Sequence, residues 1–195
     1  MGYKPMKSAK TARLCRVDQS VLVVIDIQNR LTAAMPVKVL ARIQRNVETL
    51  IKAATLLQIP VIATEQYPKG LGSMESSLVE FLPKGAHRYE KTTFSCAGAP
   101  GFIHDFELLK RKQVILTGME THVCVLQTAL DLMQLGATVF VAADAVCSRH
   151  RDNYEIGIQR MLAEGIIVSV TESILFEWLQ DSKHESFKVI QNRIR

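Results

Sequence analysis

Hydrophobic and polar positions along this chain switch repeatedly between two periods. Val21-Leu-Val-Val-Ile-Asp-Ile27 is a short, continuous, β-branched run, the pattern of a strand buried on both faces. Val39, Leu40, Ile43, Val47, Leu50, Ile51, Ala54 and Leu57 then follow at helical spacing, and Pro60 closes the segment. The exchange repeats with a strand over 61–64, a loop holding Pro68, Gly70 and Gly72, a short helix near 76–81 and a strand over 87–90. Pro100 can open a helix to Lys110, residues 113–117 read as a strand, and His122 to Leu135 is helical with Gly136 as its stop. A strand over 138–143, a helix over 153–164 ended by Gly165, a strand over 166–170 and C-terminal helices complete the series.

Six strands separated by helices predict an α/β protein with a doubly wound, six-stranded, mostly parallel sheet in a three-layer α/β/α sandwich. Parallel strands need crossovers, and helical crossovers pack right-handed onto both faces. No repeat, low-complexity stretch or linker interrupts the pattern. A single domain is therefore expected over 18–195, behind a basic arm over 1–17.

Composition adjusts this picture in a few places. The 195 residues are 48% apolar, enough for one sizeable core. No stretch approaches the ~20 apolar residues of a membrane span, and the N-terminus lacks the apolar centre of a secretory signal, so a cytoplasmic protein is expected, with no membrane partner. The net charge of +5 is carried by Lys4, Lys7, Lys10, Arg13 and Arg16, which have no acidic residue among them. Positive charge in a terminal arm is not a groove-lining run, and nucleic acid is not an expected partner. Cys15, Cys96, Cys124 and Cys147 form no C-x-x-C pair, and the five histidines do not cluster, so reduced thiols, no metal and no cofactor are expected.

In open α/β sheets, ligands gather beyond the carboxyl ends of the strands. Three reactive side chains fall there: Asp26 at the end of the first strand, Lys91 just after the third, and Cys124 in the first helical turn after the fourth. A helix start favours thiolate at Cys124. A carboxylate inside an apolar run is costly unless paired, and Lys91 can supply the partner. Taken singly, each has an ordinary structural explanation: a buried cysteine, a loop-capping aspartate, a surface lysine.

Together they resemble a family. Asp26-Ile-Gln-Asn29, Lys91-Thr-Thr-Phe-Ser95 and Gly118-Met-Glu-Thr-His-Val-Cys124 are similar, in order and separation, to the three signature segments of isochorismatase-like hydrolases. The loop from Thr64 to Gly72 resembles the isochorismatase-domain branch found in bacteria and eukaryotes, and the likeness covers roughly residues 18 to 180. It implies a Rossmann-like isochorismatase fold and a catalytic triad of Cys124 as nucleophile, Asp26 as base and Lys91 as polarising cation. It also implies a cis peptide between Met119 and Glu120 and an oxyanion hole from the Glu120 and Cys124 amides. Gln28, Tyr67 and Phe94 are candidates for lining the substrate pocket. The reaction implied is hydrolysis of a small amide or related C–N bond through an acyl-enzyme. The loops after the first two strands lack the histidines with which nicotinamidases of the superfamily hold a metal, which argues against nicotinamide. A homo-oligomer is expected, because relatives assemble and Leu130, Met133, Phe176 and Trp178 are more apolar surface than one small sheet covers. Two other readings are a ribonuclease, a label some relatives carry, and a non-catalytic scaffold on the same fold.

Overall fold

The computed structural model describes residues 13–194. Strands β1 (Ser20–Ile25), β2 (Val61–Gln66), β3 (His87–Lys91), β4 (Gln113–Met119), β5 (Thr138–Cys147) and β6 (Ile167–Ser169) form one sheet in the order β3-β2-β1-β4-β5-β6, with every neighbouring pair parallel. The connecting helices are α1 (Asn29–Thr32), α2 (Val37–Leu56), α3 (Pro68–Leu71), α4 (Ser76–Val79), α5 (Phe102–Leu108), α6 (Leu126–Gln134), α7 (Arg151–Ala163), α8 (Thr171–Leu179) and α9 (Phe187–Gln191). This is the three-layer α/β/α sandwich that the alternating periods predict.

Two apolar layers hold the sandwich together, and β1 contributes to both. Leu22 and Val24 pack with α2, α8 and α9 through Ile43, Val47, Leu50, Trp178 and Ile190. Val21, Val23 and Ile25 pack on the other face with α5, α6 and α7 through Phe102, Leu126, Leu132 and Met161. A strand with both faces dry must be apolar at every position, which is why β1 reads as a continuous run. No helix among the described residues is long and apolar enough to cross a membrane.

The differences from the sequence pattern concentrate at the carboxyl ends of the strands. β2 runs on to Gln66 and β4 to Met119, because parallel pairing continues through polar and small residues that carry no hydrophobic signal. β5 reaches Cys147 only through an irregularity in which Leu116 pairs with Val141 while Gly118 pairs with Val146. The extra length is held by side chains: Asn46 donates to the Asp144 carbonyl at 2.8 Å and Tyr154 to the Ala143 carbonyl at 2.9 Å. Lys91, expected just after the third strand, is the last residue of β3.

The last residues of the expected 1–17 arm are bonded to the domain. Cys15 is fully buried, and its amide donates to Glu177 Oε2 at 2.7 Å. Gln113 clamps the same segment, accepting from the Arg16 amide at 2.7 Å and donating to the Leu14 carbonyl at 2.9 Å. Residues 13–17 are thus docked on the sheet, and positions 1–12 lie outside the described residues. Trp178, counted among the surplus apolar surface, is core: it is 2% exposed and its indole donates to Ser20 Oγ.

Gly118 fixes how closely β4 approaches β1. A Cβ there would lie 2.0 Å from the Ile25 carbonyl oxygen, and its φ of +106° disfavours any L side chain. The obstacle is backbone, so no rotamer change relieves it. Gly118→Ala is expected to cost about 3 kcal/mol or more, or to prevent folding, as measured by denaturant unfolding.

Candidate active site

The strand order reverses between β1 and β4, which opens a crevice above their carboxyl ends. Strict alternation along β1 would send Asp26 to the α2 face, the side of Leu22 and Val24. Instead Asp26 adopts φ +50°, a left-handed conformation that aspartate tolerates better than most residues. Its carboxylate therefore meets residues of the opposite face. Thr64 Oγ1 donates to Asp26 Oδ1 at 2.7 Å, and Lys91 Nζ donates to Oδ2 at 2.6 Å. Both charged side chains are fully shielded from solvent.

Lys91 is held from every side. Besides Asp26, its ammonium faces Gln66 Oε1 at 2.6 Å and the carbonyls of Phe94 and Thr93 at 3.0 and 3.3 Å. Three N–H donors thus have four acceptors, leaving none to spare. The lysine can act on a neighbouring group only through its charge.

Cys124 lies in a single π turn, Thr121–Val125, that links β4 to α6. Val123 and Val125 both donate to the Glu120 carbonyl, at 3.0 and 3.2 Å. Among the described residues, the Glu120 amide donates to no protein acceptor. The Met119-Glu120 peptide is cis. The Glu120 carboxylate turns away, accepting from the Arg149 amide at 3.0 Å and from its guanidinium at 3.2 Å. The π turn is braced from outside by α7, where Gly157 packs so closely that a Cβ would come within 3.1 Å of His122 Cα.

A helix start favours thiolate, but burial acts on this thiol in the opposite direction. Burial, then the charge of Asp26, push Cys124 up to about 12, while Lys91 pulls it down. Desolvation outweighs the turn's dipole in a site this dry. Cys96, on a 3-10 turn (Cys96–Gly98), is a second thiol in the cluster, raised to about 11 chiefly by burial and linked to Asp26 through the Thr64 hydroxyl, 3.7 Å away. Cys124 is 5% exposed and Cys96 fully buried, so only Cys124 borders the surface. All four cysteines are free.

The three pocket candidates divide. Gln28 is fully buried and its amide is consumed: Nε2 donates to the Gln66 and Gly72 carbonyls at 3.0 and 2.6 Å, and Oε1 accepts from the Gln66 amide at 2.7 Å. It braces the loops and has no group left for a substrate. Tyr67 and Phe94 are 53% and 52% exposed, on the loops flanking Lys91. Tyr67 borders a cavity of about 390 Å³ shared with Lys69, Glu90 and Pro100. Among the described residues no group of three or more His, Cys, Asp or Glu side chains is arranged to hold a metal ion.

The family model described as the isochorismatase domain matches residues 20–173, which include all of these groups. This chain belongs to the isochorismatase family. Isochorismatase domain-containing protein 1 of Salmo salar is 42% identical over 149 residues, which are 76% of this chain and 52% of that protein. This family member thus spans about half the length of that relative. Isochorismatase domain-containing protein 2 of Rattus norvegicus is 34% identical over 191 residues, 96% of this chain and 88% of that one. A solved structure named as MAR1 ribonuclease from Caenorhabditis elegans is 36% identical, with a TM-score of 0.87 over 93% of this chain and 92% of that one.

Within this isochorismatase-family site, motif reading misses Thr64, Gln66 and Cys96. A signal for the first two exists: Thr64 and Gln66 are polar residues at i, i+2 on a strand buried throughout, and so share one face. Cys96 carries none. Removing either charge of the buried pair strands the other, so Lys91→Met is expected to cost roughly 3–5 kcal/mol. The double variant Asp26→Asn/Lys91→Met should recover most of that loss. Equal stability of single and double variants in urea unfolding would contradict a tightly coupled pair.

Proposed function

We propose that this protein is a cysteine hydrolase of small amides or related C–N bonds, with Cys124 as nucleophile, Asp26 as general base and Lys91 as a fixed cation. The observation that carries the reading is a solvent-shielded Asp26–Lys91 pair at 2.6 Å that acts electrostatically on Cys124, the more exposed of the two thiols beside it. Because the thiol rests protonated, its proton passes to Asp26 as sulfur bonds the substrate carbonyl carbon. The tetrahedral oxyanion is received by the Glu120 and Cys124 amides. Asp26 returns the proton to the departing nitrogen as the C–N bond breaks, leaving a thioester on Cys124. Water attacks that thioester, giving its proton to Asp26, which hands it back to sulfur as the acid departs. Lys91 stays charged and bonded throughout, offsetting whichever group is negative.

The substrate would be a small neutral or acidic amide entering between the exposed Tyr67 and Phe94. The ribonuclease name of the Caenorhabditis elegans structure supports a second reading, in which RNA is cleaved. The site favours it poorly: the proposed machinery is a thiol, a carboxylate and a fully bonded ammonium, without paired histidines. A cytoplasmic location remains part of the proposal. The test is a panel of amides, esters and RNA offered to wild type and Cys124→Ala, with intact-mass detection of an adduct. Amide turnover with an acyl adduct on wild type and neither on the variant is expected. Equal turnover by both proteins would sink thiol catalysis, and RNA cleavage without an adduct would favour the second reading.

The proposal includes a homo-oligomer. Leu135, just past α6, and Ile156 and Leu162 on α7 are 57%, 54% and 54% exposed, large apolar side chains open to solvent in the β4 to β6 half. Sedimentation at micromolar concentration should show more than one copy per particle, and a monomer would refute the assembly.

A further inference from the structure

The end of β2 contributes a group the proposed triad does not use. Gln66 Oε1 accepts from Lys91 Nζ at the same 2.6 Å as the Asp26 carboxylate. The amide cannot be flipped without loss, because Nε2 donates to the Thr92 carbonyl at 2.8 Å. Its backbone is fixed too, the amide and carbonyl both bonded to Gln28. Gln66 is thus set, by its own side chain and by a second glutamine, to present a neutral oxygen to a buried ammonium.

Neutrality matters because the cluster is dry. Before the proton moves, Asp26 is negative, Lys91 positive and Cys124 neutral. After it moves, Asp26 is neutral, Cys124 negative and Lys91 unchanged. The net charge is zero at both stages, so the buried site never holds an uncompensated charge. A carboxylate in place of the amide would make the cluster net negative throughout and draw Lys91 away from the sulfur. The titratable group bonded to Gln66 is Lys91, and those that feel its charge are Asp26, Cys96 and Cys124. Glu65 next to it points to the other face, toward the Met74 amide at 2.6 Å and Arg88 at 3.2 Å, and Glu120 is turned to Arg149.

We infer that Gln66 is a positioning residue: as an uncharged acceptor locked by Thr92 and Gln28, it holds the Lys91 ammonium where one positive charge serves first Asp26 and then the Cys124 thiolate. The inference rests on the cysteine-hydrolase reading above.

Gln66→Glu tests it with almost no change of shape. While protonated, the introduced carboxyl imitates the amide, its hydroxyl donating to Thr92 and its carbonyl accepting from Lys91. The alkylation rate of Cys124 by iodoacetamide, located by peptide mass, should then match wild type at the acidic end of the range. As that carboxyl ionises, the ratio of variant to wild-type rate should fall by at least about tenfold, a new limb in the pH profile. A purely structural role would lower stability and leave the ratio flat with pH, and a flat ratio would overturn the inference. If Gln66→Glu does not fold, Gln66→Met keeps the charge and removes the acceptor. It should alkylate more slowly than wild type without a new limb, and a wild-type rate would overturn the inference. Should the wild-type label land on a cysteine other than Cys124, the hydrolase reading fails. Should it land on Cys124 while both variants behave as wild type, only the role of Gln66 fails.

Discussion

A carboxylate and an ammonium held 2.6 Å apart, both out of reach of water, are the constraint around which this molecule is arranged. Ion pairs of this kind add little stability over an apolar pair of the same volume, because each charge is costly to desolvate. The chain nevertheless surrounds Asp26 and Lys91 with a hydroxyl, an amide and two backbone carbonyls. That investment of polar groups makes sense if the pair serves chemistry rather than folding. It also explains why β2 carries Thr64 and Gln66 where a buried strand would ordinarily carry valine or isoleucine.

Much of the fold is legible in the sequence, because dry strands and amphipathic helices need different apolar periods and leave different traces. β1 and α2 stand out for that reason. The strand ends are less legible, since β2, β4 and β5 finish in residues chosen for the site. Docking of residues 13–17 is invisible in advance: it depends on Gln113 and Glu177, which are about a hundred or more residues away. Asp26, Lys91 and Cys124 are readable only as a set of motifs in register. What motifs do not convey is state. The place before a helix that favours thiolate at Cys124 is opposed by burial, which pushes the same thiol up. Gln28, legible as a member of a motif, turns out to spend its amide on loop carbonyls.

Membership of the isochorismatase family settles the scaffold and leaves the substrate to the loops. The buried cluster lies at the floor of the crevice and is the same whatever enters. Under the proposed function, selection among substrates would fall to side chains such as Tyr67 and Phe94, which lie on the loops after β2 and β3 and are about half open to solvent. Such positions are free to change without disturbing the charges beneath them.

The contact between Gly157 and the π turn reaches beyond the site itself. With a hypothetical Cβ of residue 157 only 3.1 Å from His122 Cα and 3.2 Å from its amide nitrogen, helix α7 rests on main chain rather than on a side chain that could swing aside. Helix and turn are in that sense one mechanical part. A substitution that shifts the seat of α7 would reach the Cys124 sulfur through this contact, with no change in the turn itself. A laboratory-evolved lineage could therefore alter the surroundings of the Cys124 sulfur through the seat of this helix, without touching the groups that bear charge.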